Sequence, residues 1–496
     1  MIRSFLSSLF QYLYKLLFSS KYENFLKSLE NPKDTQLNTL EDILEIYNHS
    51  PISKDCKVKT LEDFKALPIR DYNEMESEIK NNLLYPRPFT KFEKTSGSSG
   101  KNKMIPYPES LLRSFRNLFI IWSIDILKNI KFKTLVFYFS ISPQFKESSD
   151  DGAMSTDREY LGAFLSTIGH SFFVEIPNLE RVKNSLEFKM LLSLHLISNR
   201  KLEIISIWSP SFMTELWSFI LENQDEISRA LSKGQYESWS FTPIQLNEFS
   251  PKNCFPSLKF ISTWGSQNAI YHYDKLKTIF KDITIQKKGL LATEAPITIP
   301  IFEAKGFTPL LNEVFMEFRT KEGQVFNLWE IKEGEVYEII ISQKGGLYRY
   351  CLKDLIIVTH FYKKTPCIDF YGRRDALSDL VGEKLHELDI RDAFKGTSAQ
   401  FAIPDQRDSR YIIISEEILT QAELQRIEKR LRENYHYNNA RELDQLKPLK
   451  SISIQNGEKK LSEYMENIRG IKKGDQKLGQ LLYRESDGKL LAALSL

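Results

Sequence analysis

The sequence predicts an α/β protein with a large N-terminal domain of helix-covered sheets, a β-rich subdomain within it, and a smaller C-terminal α+β domain. Three observations carry this prediction. Helical patterns alternate with short apolar runs between about residues 108 and 294, closely spaced strands follow from about residue 312, and helices and strands alternate again after residue 375. A chain of 496 residues accommodates two domains, which we place at residues 1–374 and 375–496.

Helices are predicted over most of the first 85 residues and over residues 108–130, where apolar positions recur at helical spacing. Pro68 divides the segment 61–80 into two helices, because proline interrupts a helix. Short continuous apolar runs indicate strands that are buried on both faces, as in a covered parallel sheet. These runs occupy residues 134–140, 202–208, 258–265 and part of 283–294, and helices are predicted between them at 210–223 and 273–280.

The sequence pattern changes after residue 312, where shorter segments with alternating apolar residues are separated by turns such as KEGQ and KEGE. This pattern predicts an antiparallel, β-rich subdomain. The final stretch of about 120 residues follows Arg373-Arg374-Asp375. Its strands are predicted at 411–414 and 450–454 and its helices at 421–435 and 459–469, which indicates a small α+β domain.

Composition and charge exclude several classes of protein. A net charge of +3 on so long a chain is too small to predict a nucleic-acid surface, and 42% apolar residues are typical of a globular protein. The four cysteines form no CxxC pair, which argues against a zinc site and a disulfide framework. We therefore expect a reducing compartment and a cytoplasmic protein.

The N-terminal segment needs separate treatment because it is rich in apolar residues. Lys15 interrupts the run, which falls short of the roughly 20 apolar residues that a membrane span requires. The spacing instead predicts a helix docked on the body, while a membrane-surface or partner-binding helix stays open as the alternative. The apolar positions are Phe5, Leu6, Leu9, Tyr12, Leu13, Leu16 and Leu17.

The stretch TSGSSGKNK at residues 95–103 has the chemistry of a phosphate-binding loop. Its glycines allow close approach of the backbone, the hydroxyls of Ser98 and Ser99 can donate to phosphate oxygens, and Lys103 supplies a positive charge. The spacing differs from that of a Walker A loop. An ordinary serine- and glycine-rich turn is the alternative.

Two further motifs supply carboxylates and an arginine. In Ala292-Thr293-Glu294, a hydroxyl beside a carboxylate can hold a phosphate oxygen and a Mg²⁺ ion, although a helix N-cap would use the same residues. In GLYRYCLKD and GRRD, Asp354 can accept from both hydroxyls of a ribose and Arg373 can donate to ribose or phosphate oxygens. A surface ion pair is the alternative for these two residues.

In this order, the motifs resemble the nucleotide sites of adenylate-forming enzymes, and most closely those of the acyl-acid amido synthetases, the auxin- and jasmonate-conjugating (Gretchen Hagen three) family. The resemblance runs over roughly residues 20 to 485. Its most specific block is GLYRYCLKDLIIVTHFYKKTPCIDFYGRRD. The other matching stretches are FEKTSGSSGKNKMIPY, FPSLKFISTWGSQNAIY, GIKKGDQKLGQLL and the entry region KYENFLKSLENPKDTQ with LEDFKALPIRDYNEM.

The resemblance implies an adenylate-forming N-terminal domain, a mobile C-terminal domain, and ATP with Mg²⁺ as cofactors. A carboxylic acid would be adenylated with loss of pyrophosphate, and an amino acid would then attack to give an amide and AMP. The implied roles are phosphate binding for Ser98, Ser99 and Lys103, the α-phosphate for Thr293, Mg²⁺ and catalysis for Glu294, ribose for Asp354 and Arg373, and a catalytic, mobile lysine for Lys477. An ordinary solvated lysine is the alternative for Lys477.

Other parts of the sequence depart from the family or are less specific. Leu290 stands where the family has an aromatic residue near adenine, and Lys353 stands where glycine is usual. Trp208, Ser209 and Phe212 could wall an acyl pocket, although aromatic residues at this spacing also suit a core. The alternatives to an amido synthetase are an acyl-CoA ligase and a catalytically silent binding protein. We expect a monomer with small carboxylic acid and amino acid substrates and no nucleic-acid partner.

Overall fold

The computed structural model describes residues 2–54, 57–94, 103–140, 172–174, 176–178, 181–182, 184–266, 269–471, 476, 479–483, 485 and 488–495. The chain falls into two compact units. Unit 1 comprises Met1–Leu352 and Ile356–Tyr371, and unit 2 comprises Lys353–Leu355 and Gly372–Leu496. The division that we predict between residues 374 and 375 stays a prediction. The predicted α/β class is confirmed.

Unit 1 begins with four helices, α1 (Ile2–Ser28), α2 (Pro32–His49), α3 (Leu61–Ala66) and α4 (Tyr72–Lys80). Helices α3 and α4 start at capping boxes, in which the side chains of Thr60 and Asp71 accept hydrogen bonds from backbone N–H groups of the first turn. As predicted, Pro68 lies between them. A short 3₁₀ turn at Pro51–Ser53 connects α2 to the following chain.

Helix α1 is docked on α5 (Glu109–Asn129), as predicted. Tyr22 donates a hydrogen bond of 2.8 Å to Asp125, and the hydroxyls of Tyr14 and Ser123 lie 2.8 Å apart. The opposite face of α1 leaves large apolar side chains exposed, namely Leu6, Leu9, Tyr12, Leu13, Leu16 and Leu17. None of the described helices combines the length and the apolarity that a membrane crossing requires.

The centre of unit 1 is a four-stranded parallel sheet in the order β3 (Val136–Ser140), β4 (Leu202–Ile207), β7 (Phe260–Thr263) and β8 (Thr284–Lys287). Buried side chains on one face belong to the same cluster as those of α5, and those on the other face pack with the helices that follow β3 and β4. The helices of this part of unit 1 are α6 (Ser185–Ser198), α7 (Pro210–Glu222), α8 (Gln224–Lys233), α9 (Pro251–Cys254) and α10 (Ile270–Ile279).

Glu203 fixes the amino end of this sheet. Its buried carboxylate accepts hydrogen bonds from the backbone N–H groups of Lys133, Thr134 and Leu135, and it forms an ion pair of 2.9 Å with Lys259. Burial alone would raise the pKa of Glu203, but these donors outweigh it and hold the pKa below its usual value. The chain between α5 and β3 is thereby attached to the sheet.

After residue 312, the strand Val314–Arg319 pairs antiparallel with Val325–Asn327 and with Val336–Gln343, as predicted. Short pairs precede it: β1 (Phe92–Lys94) with β2 (Met104–Pro106), β5 (Gln235–Tyr236) with β6 (Trp239–Ser240), β9 (Leu291–Ala292) with β10 (Ala295–Pro296), and β11 (Thr298–Ile301) with β12 (Gly306–Pro309). A five-stranded sheet then follows in the order β14-β13-β15-β16-β17. Its strands are β13 (Val314–Arg319), β14 (Val325–Asn327), β15 (Val336–Gln343), β16 (Tyr350–Tyr362) and β17 (Thr365–Arg373), with a 3₁₀ turn at Leu328–Glu330.

Unit 2 is an α+β unit built on β20 (Ala399–Asp405), β21 (Arg410–Ser415) and β22 (Lys450–Ser453), in which β20 and β21 are antiparallel and β21 and β22 parallel. The predicted helix at 421–435 ends at Leu431, and a separate helix begins at Tyr435, where the Asn434 side chain accepts from two backbone N–H groups. The other elements are β18 (Leu377–Ser378), β19 (Leu385–His386), α11 (Glu387–Phe394), α12 (Gln421–Leu431), α13 (Tyr435–Glu442), α14 (Gly457–Asn467) and α15 (Lys489–Ser495).

Candidate active site

The carboxyl edge of the parallel sheet is where open α/β sheets bind ligands. Beyond β8, the chain passes through Lys288 and Gly289 and enters the hairpin of β9 and β10. A Cβ atom on Gly289 would lie 2.5 Å from the backbone oxygen of Thr298, so this passage requires glycine. The hairpin pairs Ala292 with Ala295 and therefore places Thr293 and Glu294 at its two-residue turn.

Glu294 belongs to a hydrogen-bonded network with Lys103 and Tyr350. The Lys103 Nζ donates to the Tyr350 hydroxyl over 3.2 Å, and this hydroxyl donates to Glu294 Oε1 over 3.1 Å. Lys103 Nζ also lies 3.6 Å from Glu294 Oε1. The sequence predicts Lys103 for phosphate binding and Glu294 for metal binding. The two residues are 191 positions apart in the chain and are neighbours in unit 1.

The electrostatics of this network fix its protons. Burial first, and then the Glu294 carboxylate, raise the pKa of Tyr350 far above its usual value, so the hydroxyl stays protonated and donates. Glu294 is only 6% exposed, whereas the Lys103 side chain is 24% exposed. The network therefore presents a positive group toward solvent above a buried carboxylate.

Glu294 can contribute one ligand to a magnesium ion. The described residues contain no group of three or more His, Cys, Asp or Glu side chains that could hold a metal by itself. Magnesium needs only one or two protein carboxylates when phosphate oxygens and water complete its shell. The donor set therefore fits a magnesium ion that arrives with a nucleotide and does not fit a site made of protein ligands alone.

Thr293 is held through its backbone. The Tyr107 hydroxyl donates to the Thr293 carbonyl oxygen over 2.5 Å, and the Tyr107 ring stacks on Phe115 of α5 with ring centroids 5.7 Å apart. Lys103 is adjacent to β2, and the hydroxyl of Tyr72 accepts a hydrogen bond of 3.0 Å from the next backbone N–H, that of Met104. The hairpin turn and the chain at Lys103–Met104 are both anchored in this way.

Asp354 and Arg373 lie together in unit 2. The Arg373 Nε is 3.7 Å from Asp354 Oδ1 and 3.2 Å from Asp375 Oδ1. Burial would lower the pKa of Arg373, but the two carboxylates outweigh it and hold the pKa above its usual value. The predicted ribose-binding pair is a close charged pair, and the Asp354 carboxylate is largely buried.

Lys353 adopts a backbone conformation that suits glycine. Its φ is 62°, in the left-handed region, and its carbonyl oxygen accepts a hydrogen bond of 2.9 Å from Arg374 N–H. This is the position where the resembled family has glycine. The strain is local to the residue that precedes Asp354.

We predict that Lys353→Gly is tolerated and that Lys353→Val is not. Glycine removes a left-handed penalty of about 1 kcal/mol while adding a similar entropy to the unfolded chain, whereas a β-branched residue there should cost about 1–3 kcal/mol. Thermal unfolding of the two variants provides the measurement. Equal midpoints for glycine and valine would contradict the strained conformation.

The residues proposed for the acyl pocket occupy different surroundings. Trp208 follows β4 on the side of the sheet that faces α5, where Lys288 lies over its ring. The Ser209 hydroxyl lies 2.5 Å from that of Ser211 at the start of α7. Phe212 packs against the helices of the other face and so has the surroundings of a core residue.

Two histidines have structural partners. His272 lies 3.1 Å from the Thr214 hydroxyl, and burial lowers the pKa of His272 to about 4, so its ring stays neutral. The His360 Nε2 atom lies 2.8 Å from the Ala304 carbonyl oxygen.

The predicted residues Ser98, Ser99 and Lys477 lie outside the described residues.

Sequence reasoning missed the tyrosines of the site. Tyr350 lies in the motif GLYRYCLKD, which was already identified from the sequence, so a role for it between Lys103 and Glu294 could have been suspected. Tyr72 and Tyr107 gave no signal, because their contacts join segments far apart in the chain. Arg349 of the same block is occupied elsewhere, in a buried bidentate ion pair with Glu317.

Comparison with known proteins identifies the family. The chain matches the GH3 family N-terminal domain over residues 21–251 and the GH3 family central domain over residues 307–373. The chain belongs to the GH3 family. The resemblance stated from the motifs is confirmed, and the network of Lys103 and Tyr350 joins the two matched regions.

Relatives of this GH3 chain differ in how much they share with it. A probable indole-3-acetic acid-amido synthetase, GH3.7, from Oryza sativa subsp. japonica is 40% identical over 57 residues, which is 12% of this chain and only 9% of the relative. The structure of the AtGH3.15 acyl acid amido synthetase in complex with 2,4-DB has a TM-score of 0.78 at 16% identity and covers 96% of this chain and 95% of that chain. An open conformation of 2-hydroxyisobutyryl-CoA ligase with 2-HIB-AMP and CoA has a TM-score of 0.51 at 12% identity, covering 84% and 87%. These structural likenesses show the fold that GH3 proteins share with adenylate-forming enzymes.

Proposed function

We propose that this chain is an ATP-dependent acyl acid amido synthetase, which adenylates a carboxylic acid and transfers the acyl group to an amino acid. One observation carries the proposal: in a GH3 chain, the Thr293–Glu294 turn is placed beside Lys103 and Tyr350 in one hydrogen-bonded network. These are the residue types that the chemistry needs. The names of the relatives, an indole-3-acetic acid-amido synthetase and an acyl acid amido synthetase, support the same assignment.

The first half-reaction brings two anions together, because a carboxylate oxygen attacks the α-phosphorus of ATP and pyrophosphate leaves. Lys103 offsets this repulsion at the phosphates, together with donors from the loop 95–103 that include Ser98 and Ser99. Thr293 donates to the α-phosphate and Glu294 is the protein ligand for Mg²⁺. When bound, Mg²⁺ would neutralise part of the negative charge on the phosphates.

The ribose is assigned to the charged pair in unit 2. Asp354 accepts from the ribose hydroxyls, and Arg373, whose Nε lies 3.7 Å from Asp354 Oδ1, offers further donors to ribose or phosphate oxygens. Lys477 is assigned to the α-phosphate and carboxylate oxygens during adenylation. In this proposal residues 375–496 form a mobile domain, whose movement about residues 374–375 excludes water from the acyl-adenylate.

In the second half-reaction, an amine attacks the acyl carbon of the adenylate. The bond between the acyl carbon and the AMP oxygen breaks, AMP leaves, and the amine loses a proton to an acceptor or to water. An amino acid is the proposed amine. The protein is proposed to act as a cytoplasmic monomer.

The products decide between an amide and a thioester. The purified chain is incubated with ATP, Mg²⁺ and a panel of acids that includes indole-3-acetate, 2,4-DB and substituted benzoates, with either the twenty amino acids or CoA. Mass spectrometry is expected to detect an acyl amide together with AMP. A thioester formed without any amide would assign the chain to the acyl-CoA ligases and overturn the proposal.

A catalytically silent protein is the other outcome. Leu290, in the place of the family's aromatic residue, is buried in the core of unit 1 and offers no ring for stacking. If folded protein gives neither product and calorimetry detects no binding of ATP with Mg²⁺, the chain is a binding or scaffold protein.

A further inference from the structure

The face of the parallel sheet that packs on α5 carries an unusual row of polar side chains. Ser206 of β4, Ser262 of β7 and Gln286 of β8 are in register. Because side chains alternate along strands, the residues two positions further on the same face are Trp208, Trp264 and Lys288. This second row lies beyond the carboxyl ends of the strands, where α/β sheets bind ligands.

Lys288 is enclosed by aromatic rings. Its Nζ donates a hydrogen bond of 2.8 Å to the Ser206 hydroxyl and lies 5.5 Å and 5.7 Å from the ring centroids of Trp122 and Trp208. Among the residues that the structure describes, no carboxylate lies within 4 Å of this ammonium group. Desolvation therefore lowers the pKa of Lys288 to about 7, although part of the residue stays accessible.

A desolvated lysine without an acidic partner is costly to a fold. Lysines are almost never fully buried unless they are paired, and an uncompensated charge is destabilising. Neither Ser206 nor the two tryptophan rings carries the negative charge that would neutralise an ammonium group. A ligand anion would supply it.

Ser262 provides an independent observation. Its side chain is fully buried, and its hydroxyl is without a hydrogen-bond partner among the described residues. It lies between Ser206 and Gln286 in register, next to the serine that holds Lys288. Buried hydroxyls are nearly always satisfied, so this one indicates a missing acceptor at the same place.

The surroundings also indicate the body of the ligand. Trp122, Trp208 and Phe119 are all only partly buried, and the ring of Phe119 contacts that of Trp122 edge to face, with the two ring centroids 6.4 Å apart. Flat aromatic walls that stay accessible are typical of sites for apolar or aromatic ligands. The ammonium group and the serine hydroxyls are the polar elements among them.

We propose that Lys288, with Ser206 and Ser262, binds an oxyanion on the acyl substrate that is distinct from the carboxylate to be adenylated, so that this enzyme takes aromatic or apolar acids bearing a second acidic group. The inference rests on the proposed function. The reacting carboxylate must meet the phosphates, which are assigned to Lys103 and Thr293. Lys103 contacts Glu294, Tyr350 and the Tyr72 ring, whereas Lys288 contacts Ser206 of β4 and Trp122 of α5.

The test compares matched acids on three proteins. Wild type, Lys288→Met and Lys288→Arg are assayed for acid-dependent exchange of labelled pyrophosphate into ATP with benzoate, phenylacetate and the three benzenedicarboxylates. We expect wild type to prefer at least one diacid over its monoacid by about tenfold or more in kcat/KM. Lys288→Met should abolish that preference by lowering kcat/KM for the diacid about tenfold more than for the monoacid, and Lys288→Arg should retain part of the preference. No diacid preference in wild type, or an unchanged preference in Lys288→Met, overturns the proposal.

Two further readouts separate this inference from the proposed function and from a structural role. Calorimetric binding of the same acids without ATP should show the same preference and its loss in Lys288→Met. If no acid supports exchange but this binding difference is present, the proposed function fails and the Lys288 site stands. Thermal unfolding should show that Lys288→Met has a higher midpoint, because an uncompensated charge is replaced by an apolar group of similar length. A lower midpoint would identify Lys288 as a structural residue and overturn the proposal.

Discussion

Glu294→Gln is expected to reduce acid-dependent exchange of pyrophosphate into ATP by about 100-fold or more. The substitution keeps the size of the side chain and a hydrogen bond to Tyr350, but it removes the negative charge that is assigned to Mg²⁺. It also leaves Lys103 without its carboxylate partner 3.6 Å away. The measurement is the exchange rate at saturating ATP, with an acid on which the wild type is active.

The control for this variant is another largely buried glutamate of unit 1. Glu313 is 8% exposed and accepts hydrogen bonds from Ser114 and Asn117, and none of these three residues is assigned to the reaction. Glu313→Gln should exchange pyrophosphate at the wild-type rate. An exchange rate of Glu294→Gln within about threefold of wild type, with the protein folded, would remove Glu294 from the reaction.

Glu317→Gln is expected to destabilise unit 1 by about 3–5 kcal/mol, the largest change in stability that we predict. Glu317 is 1% exposed, and both of its oxygens accept from the Arg349 guanidinium over 2.8 Å and 2.9 Å. Removing the carboxylate leaves a buried guanidinium without a counter-charge. Burial raises the pKa of Glu317, and the hydrogen bonds and positive charge of Arg349 oppose this rise.

Urea unfolding of Glu317→Gln, Glu317→Met, Arg349→Met and the double variant Glu317→Met/Arg349→Met measures this pair. The double variant should regain much of the lost stability, because no unpaired charge remains buried. Glu76→Gln, which breaks an exposed ion pair with Lys80, should leave the midpoint unchanged. Additive losses in the double variant would show that the two side chains act independently.

Much of the fold could be predicted because local patterns report local structure. The apolar runs around Leu202 and Phe260 predicted buried strands, and the helices between them followed from spacing alone. The division of residues 421–442 into two helices was missed. It depends on one side chain, Asn434, whose capping role competes with continuation of the helix.

The candidate site could be predicted only where a motif carried its chemistry. Thr293, Glu294 and Lys103 were chosen from sequence, yet their arrangement depends on the hairpin turn and on Tyr350. The sequence does not predict a site role for Lys288, because a lysine next to another lysine is typical of a solvent-exposed surface. Only strand register and the packing of α5 reveal that it lies between two tryptophans.

The central claim, that the chain joins a carboxylate to the α-phosphate of ATP, is tested most directly with an acid labelled with ¹⁸O in both carboxylate oxygens. After one round of conjugation with ATP and an amino acid, mass spectrometry of the nucleotide product should find AMP carrying one ¹⁸O atom, because the oxygen that attacks phosphorus leaves with AMP. AMP without the label, or ADP with the label in inorganic phosphate, would contradict the claim.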